Sequence, residues 1–263
     1  MALIDHGQLY RRYDETPQDV RVGWLYSRTL RLGRHLWLDS RSLAYAVERN
    51  AETMSQKLAS QHWERKAPIL DQGDLGSCTG NAGAGALGTQ PFYDKVGKQA
   101  FGPADDATEL VQFAVQLYSD ATRVDPYYGQ YPPTDTGSNG LAICKVLKAR
   151  GTIGGYRWAT SATGYLQLLQ TGPVLQGMPW YNAFFQPDRS GFIDAKPSWQ
   201  WSGIAGGHEV EAVAVELNAS DLYQSVITFA NSWGTSWGDN GYFRMRLRTY
   251  TQLSGVDLKQ YVV

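Results

Sequence analysis

The 263-residue sequence is most informative first for what it holds little of. It has two cysteines, Cys78 and Cys144, and four histidines. Two thiols exclude a disulfide-stapled scaffold and fit a reducing compartment; Cys78–Cys144 is the single pair that oxidation allows. His6, His35 and His62 show no metal-ligand spacing, so surface or packing roles are expected for them. No apolar run reaches membrane-spanning length, and residues 1–12 lack the apolar core of a signal peptide. The net charge is -1, which points to neither a nucleic acid nor a membrane surface as partner. There is no internal repeat and no low-complexity segment. What remains is a globular composition rich in aromatics (9 Trp, 16 Tyr) and in glycine (28).

The first 40 residues are mixed and carry no assignable function. Over residues 39–58, Leu43, Ala46, Val47, Met54 and Leu58 recur at helical spacing. The plain reading is an amphipathic helix packed on the core; the sharper one is an inhibitory segment lying across a site. A glycine-rich helix is expected from Cys78 to about Thr89. A second spans 108–124, and a third spans 141–149, with Asn139 as its cap. The Tyr/Pro/Gly loop between the last two, 125–140, is too long for a connector and reads as a binding loop. After Gly155 the texture turns to strands: 174–178, 210–217, 225–229 and 243–247, the last preceded by an Asn240-Gly241 turn. Helices first and strands second make the chain α+β. Cys144 sits on an apolar helix stripe and reads as a free core thiol.

The chemistry concentrates in Gln72-Gly73-Asp74-Leu75-Gly76-Ser77-Cys78-Thr79. A cysteine at a helix N-terminus meets the positive end of the dipole, which favours thiolate, the nucleophilic form. The Gly73–Gly76 turn can fold the Gln72 amide back towards Cys78, making an oxyanion hole with the Cys78 N–H. The stretch reads equally as a structural cysteine after a glycine-rich loop. His208 follows Gly206-Gly207 and opens a strand, so it is the candidate base for Cys78. Asn231, at a strand end, can accept from the other ring nitrogen, and Trp233 can cover that bond.

Gln72…Cys78, Gly207-His208 and the run Asn231-Ser232-Trp233-Gly234-Thr235-Ser236-Trp237-Gly238-Asp239-Asn240-Gly241-Tyr242 resemble the papain family of cysteine peptidases, in the family's order, over roughly residues 67–250. The resemblance implies a two-lobed fold: a helical lobe, 67–165, carrying the nucleophile, and a β-barrel-like lobe, 166–263, carrying His and Asn. Residues 1–66 form an N-terminal extension. It implies Cys78 as nucleophile, His208 as base and acid, Asn231 as orienting group and Gln72 as oxyanion donor. Gly76, Ser77, Gly137, Ser138, Gly207, Glu209 and Trp233 would line an extended peptide or protein substrate, 135–140 forming the wall that pairs with its backbone. No metal or organic cofactor is called for.

The sequence departs from the family at Leu75, where members from secretory pathways carry a disulfide cysteine, which suggests the disulfide-free bacterial or viral branch. Thr79 replaces a common Trp. The family's propeptide pattern is not recognisable in 39–63. Glu209 replaces a small residue beside the pocket for the second residue upstream of the scissile bond, which suggests a preference for basic side chains there. The expected activity is peptide hydrolysis through a thioester. The alternatives are a catalytically silent peptide-binding protein, and a cell-wall peptide amidase or transferase.

Overall fold

The computed structural model describes residues 30–50, 54–55, 57–103 and 105–263. His6 lies outside the described residues, as does the side chain of Leu43. In chain order the elements are β1 (Gln61–His62), α1 (Cys78–Leu87), α2 (Ala107–Val124), α3 (Gly140–Ala149), β2 (Gly155–Ala159), α4 (Ala162–Leu169), β3 (Val174–Tyr181), β4 (Ile204–Glu216), β5 (Val226–Ala230), β6 (Tyr242–Arg246), α5 (Leu247–Gln252) and β7 (Asp257–Val262).

Helix α1 is buried along its whole length. Its glycines explain how: a methyl on Gly80 would strike the Ala114 carbonyl of α2, and one on Gly83 would lie 2.6 Å from Ile143 Cγ2 of α3. The missing side chains let three helices approach closely, at a cost of about 1 kcal/mol of helix propensity per interior Gly. Helix α2 starts where the Asp106 carboxylate accepts from the Thr108 and Glu109 amides, and α3 where Asn139 Oδ1 accepts from Ala142 N at 2.8 Å.

The strands form one antiparallel sheet in the order β2-β7-β3-β4-β5-β6, with β1 added to β4. Asn240 and Gly241, both at positive φ, make the two-residue turn into β6. Two apolar cores result. One joins α1, α2 and α3, with Tyr156, Trp158, Leu175 and Tyr261 from the sheet; the other lies on the sheet's opposite part around Trp180, Phe229, Trp233 and Phe243.

Residues 39–50 depart from expectation. Where the first part of an amphipathic helix was expected, the described residues form two short 3-10 turns, Ser40–Tyr45 and Val47–Arg49. Tertiary contacts override the periodicity. Ala46 bridges Trp158, Val47 enters the sheet core, and the Glu48 carboxylate accepts from Thr160 N at 2.8 Å and Ser161 Oγ at 2.9 Å at the start of α4. Leu247, expected as a strand residue, instead begins α5.

Candidate active site

Cys78 stands at the first turn of α1, and its side chain is fully buried. The turn before it is braced by Asp135, whose carboxylate accepts from the Gly76 amide at 2.9 Å and from the Tyr118 hydroxyl at 2.5 Å. Asn81 holds Ser77 in place: its Nδ2 donates to the Ser77 carbonyl at 2.9 Å and to the Ser77 Oγ at 3.0 Å. Strand β4 packs against α1 and carries His208. The backbone of Glu209, next in the chain, hydrogen-bonds the Cys78 thiol.

Asn231 follows the last residue of β5, and β5 pairs with β4 through Glu211 and Ala230. The pairing brings Asn231 Oδ1 to 2.7 Å from His208 Nε2. A side-chain carbonyl only accepts, so Nε2 carries the proton and the neutral ring keeps its lone pair on Nδ1. Nδ1 is buried and has no hydrogen-bond partner among the described residues. Trp233 stacks on the imidazole at 4.5 Å, and Trp180 meets it edge-on at 4.9 Å. The two indoles thus enclose the imidazole on a face and an edge; Trp180 lies in an apolar run whose sequence gives no sign of that contact.

Gln72 is fixed by two bonds to the Asn231 block: its amide N–H donates to the Ser232 carbonyl at 2.9 Å, and its Oε1 accepts from Ser232 Oγ at 2.6 Å. With the side-chain oxygen taken, the amide nitrogen must face the cleft. It donates to the Leu75 carbonyl at 2.8 Å and to the Arg31 carbonyl at 3.2 Å.

That second acceptor belongs to a segment the sequence did not single out. Residues 30–38 run through the cleft. The Arg31 carbonyl also accepts from Trp233 Nε1 at 3.0 Å. Gly33 lies against the turn before Cys78, so close that a methyl there would strike the Gly76 carbonyl. Its backbone hydrogen-bonds the thiol. The Arg34 amide donates to the Gly207 carbonyl at 3.0 Å, Ser138 N donates to the Gly33 carbonyl at 2.8 Å, and His35 N donates to the Ser138 carbonyl at 2.7 Å, a parallel bridge. Leu30 and Leu32 pack on the sheet core, Trp37 and Leu38 on the helical core, so the strap ties one to the other. Gly76, Gly137, Ser138, Gly207 and Trp233 thus come together around one extended chain, which is this protein's own. His35, expected as a surface or packing residue, lies in this strap and bonds the Thr136 carbonyl at 2.6 Å through Nε2.

The electrostatics of this closed form reverse one expectation. Burial pushes the Cys78 thiol up to about 12, and backbone hydrogen bonds from Glu209 and Gly33 offset only part of that. Burial likewise takes His208 down to about 4, against the raising effect of Asn231. Desolvation outweighs the helix N-terminus, so at neutral pH the pair rests as thiol and neutral imidazole. Glu209 is buried, 3.4 Å from Lys259 Nζ, and desolvation raises it to about 7. Cys78 and Cys144 are both free and buried. Among the described residues no helix is long and apolar enough to cross a membrane, and no cluster of His, Cys, Asp and Glu has the make-up of a metal site.

Comparisons with known proteins bear on the family and the fold. Cysteine proteinase 3 of Entamoeba histolytica is 36% identical over 196 residues, 67% of this chain and 58% of the relative. The chain spans less than two thirds of the length of the curated relatives it matches. Among solved structures, xylellain, a cysteine protease from Xylella fastidiosa, superposes with a TM-score of 0.64 at 19% identity, covering 91% of this chain and 98% of that one. Digestive procathepsin L 3 of Tenebrio molitor gives 0.53 at 15% identity over 99% of this chain and 88% of that one. The pattern of the papain family cysteine proteases matches residues 112–262, more than half the sequence, and the chain belongs to that family.

Proposed function

We propose that this chain hydrolyses peptide bonds through a thioester on Cys78, with residues 1–66 an N-terminal extension whose strap must leave the cleft first. The observation that carries the reading is the 2.7 Å bond from His208 Nε2 to Asn231 Oδ1, which leaves Nδ1 as a basic lone pair. With the strap displaced, His208 Nδ1 takes the thiol proton and the sulfur adds to the substrate carbonyl. The oxyanion is held by Gln72 Nε2 and the Cys78 N–H. His208 returns the proton to the leaving nitrogen as the C–N bond breaks. Water then attacks the thioester, His208 takes its proton, and the sulfur recovers it on leaving. Gly137, Ser138 and Gly207 supply backbone partners for an extended peptide; Gly76, Ser77, Glu209 and Trp233 complete the walls. The helical lobe, 67–165, and the strand-rich lobe, 166–263, would part to admit it. The free thiols support a reducing setting.

The filled cleft also favours a second reading, a protein that grips extended chains without cutting them. One experiment separates the two. Full-length Gly33→Ala, in which the added methyl pushes the strap off Gly76, is treated with an epoxysuccinyl peptide under reducing conditions and analysed by peptide mass spectrometry. A single adduct on Cys78, lost in Gly33→Ala/His208→Ala, is the expected result. No adduct, or equal labelling of Cys78 and Cys144, overturns the peptidase reading.

A further inference from the structure

The turn before the nucleophile is gripped at a single peptide unit. The Leu75 carbonyl accepts from Gln72 Nε2 at 2.8 Å, and the Gly76 amide, on the same plane, donates to Asp135 Oδ2 at 2.9 Å. A trans peptide unit is rigid and presents its C=O and N–H to opposite sides, so partners at both ends fix its rotation. Glycine at 76 admits the carboxylate: a methyl there would lie 2.8 Å from Asp135 Oδ1 and 3.2 Å from Oδ2. Asp135 is itself held. Its Oδ1 accepts from the Tyr118 hydroxyl at 2.5 Å, and that hydroxyl oxygen accepts in turn from the Gly137 amide at 2.9 Å. Tyr118 is fully buried on α2. Burial and the neighbouring carboxylate push its hydroxyl well above the ordinary value, so it stays a donor. A methyl on Gly80 of α1 would come within 2.9 Å of Tyr118 Cβ, which seats this tyrosine against the nucleophile's helix. Arg31 of the strap adds a bond to Asp135 Oδ2 at 3.1 Å, between partly exposed side chains, and takes it away when the strap leaves.

We infer that Asp135 is a positioning residue for the oxyanion hole: by holding the Gly76 amide it sets the Leu75–Gly76 peptide, and through the Leu75 carbonyl it aims Gln72 Nε2. The inference rests on the peptidase reading and deepens it. Gln72 is steered from two sides, its Oε1 by Ser232 Oγ and its amide nitrogen by the Leu75 carbonyl. In the closed form that nitrogen also donates to the Arg31 carbonyl; once the strap has left, Leu75 is the acceptor that remains. An oxyanion donor is effective because it is aimed before the charge forms. Freed from Asp135, the peptide can rotate, and the Leu75 carbonyl then swings away from Gln72. The same carbonyl accepts from Ser77 N at 2.8 Å, so the rotation also disturbs the approach to the second donor, the Cys78 N–H. Family members from secretory pathways carry a disulfide cysteine at the position of Leu75. Here both cysteines are free, and the cross-tie is made one residue later by a carboxylate 59 positions away in sequence. A tie of hydrogen bonds, unlike a disulfide, survives a reducing setting.

The test uses the full chain carrying Gly33→Ala, which loosens the strap. Adding Asp135→Ala should lower kcat on a peptide substrate about 10- to 100-fold. Asp135→Asn, which keeps one acceptor oxygen for Gly76, should fall between the two, and Tyr118→Phe should cost several-fold. Alkylation of Cys78 by iodoacetamide passes through no oxyanion, so Asp135→Ala should slow it by no more than about two-fold. A general loosening of the site would slow both reactions together. An unchanged kcat, or a fall in alkylation that matches the fall in kcat, overturns the positioning role and leaves the peptidase reading intact. A second arm needs no turnover. By NMR, the Gly76 amide should exchange with deuterated water at least about ten-fold faster in Asp135→Ala, and the Gln72 side-chain amide signals should shift. Both changes in a protein that cuts nothing uphold the placement of Gln72 by Asp135, and the peptidase reading alone fails. A Gly76 amide that exchanges as before, or Gln72 signals that stay in place, overturns the inference.

Discussion

Cys78 and His208 show how much one residue's state depends on what covers it. The same thiol that a helix N-terminus would ionise is held neutral by burial, with its value at about 12. Iodoacetamide at pH 8 should therefore alkylate Cys78 slowly in the unaltered chain and at least ten-fold faster in Gly33→Ala, as followed by mass spectrometry over time. His208 makes a second prediction. Its folded value near 4 lies below its ordinary 6.5, so the unfolded chain takes up a proton that the native chain refuses as pH falls through that window. Stability falls from pH 6.5 towards 4 by up to about 3 kcal/mol on this account, and not above 6.5. Glu209, raised to about 7, acts in the opposite direction, gaining stability as pH falls below 7. Urea melts of the wild type against His208→Gln isolate the histidine: the difference between them should narrow as the pH is lowered. Asn231→Ala removes the acceptor that fixes the imidazole, so kcat should drop about 10- to 100-fold with little change in KM. The short motifs Gly207-His208 and Asn231-Ser232-Trp233 made these positions legible, because their chemistry is written in adjacent letters. Asp135 was legible only as one end of a wall, since its partner Gly76 stands 59 positions away.

At the scale of the element, local signals worked where an element is shaped by its own sequence. The Asn139 cap and the Asn240-Gly241 turn mark their boundaries to within a residue or so. They failed at 39–50, where Ala46, Val47 and Glu48 are each claimed by a different neighbour and the helical period has nothing to act on. The strap 30–38 gave no signal because most of its bonds are backbone bonds, which any residue can make. Helix α1 offers a test in which two effects compete. Gly80→Ala gains about 1 kcal/mol of helix propensity, yet its methyl meets the Ala114 carbonyl, and overpacking of this kind costs about 1–3 kcal/mol. Packing should win, so that denaturant melts show a less stable protein; a more stable one would mean that α2 yields easily.

For the whole molecule, the α+β reading rested on helices preceding strands and holds. The division into lobes is less simple than a cut at one position, because Tyr156, Trp158, Leu175 and Tyr261 belong to the sheet but pack into the helical core. Strand β7 is the reason. It lies between β2 and β3, pairing Leu258 with both Ala159 and Gln176. Its buried side chains serve both cores: Leu258 packs into the one around Trp180 and Phe229, Tyr261 on the opposite face into the helical one. A sheet whose inner strand comes after all its neighbours has a consequence for synthesis. While residues 155–181 have left the ribosome and Asp257–Val262 have not, β2 and β3 each present an unpaired edge that no other part of the nascent chain is built to cover. Assembly of the cleft has to wait for those last strand residues, and the strap, made first, spends that interval with nothing to close.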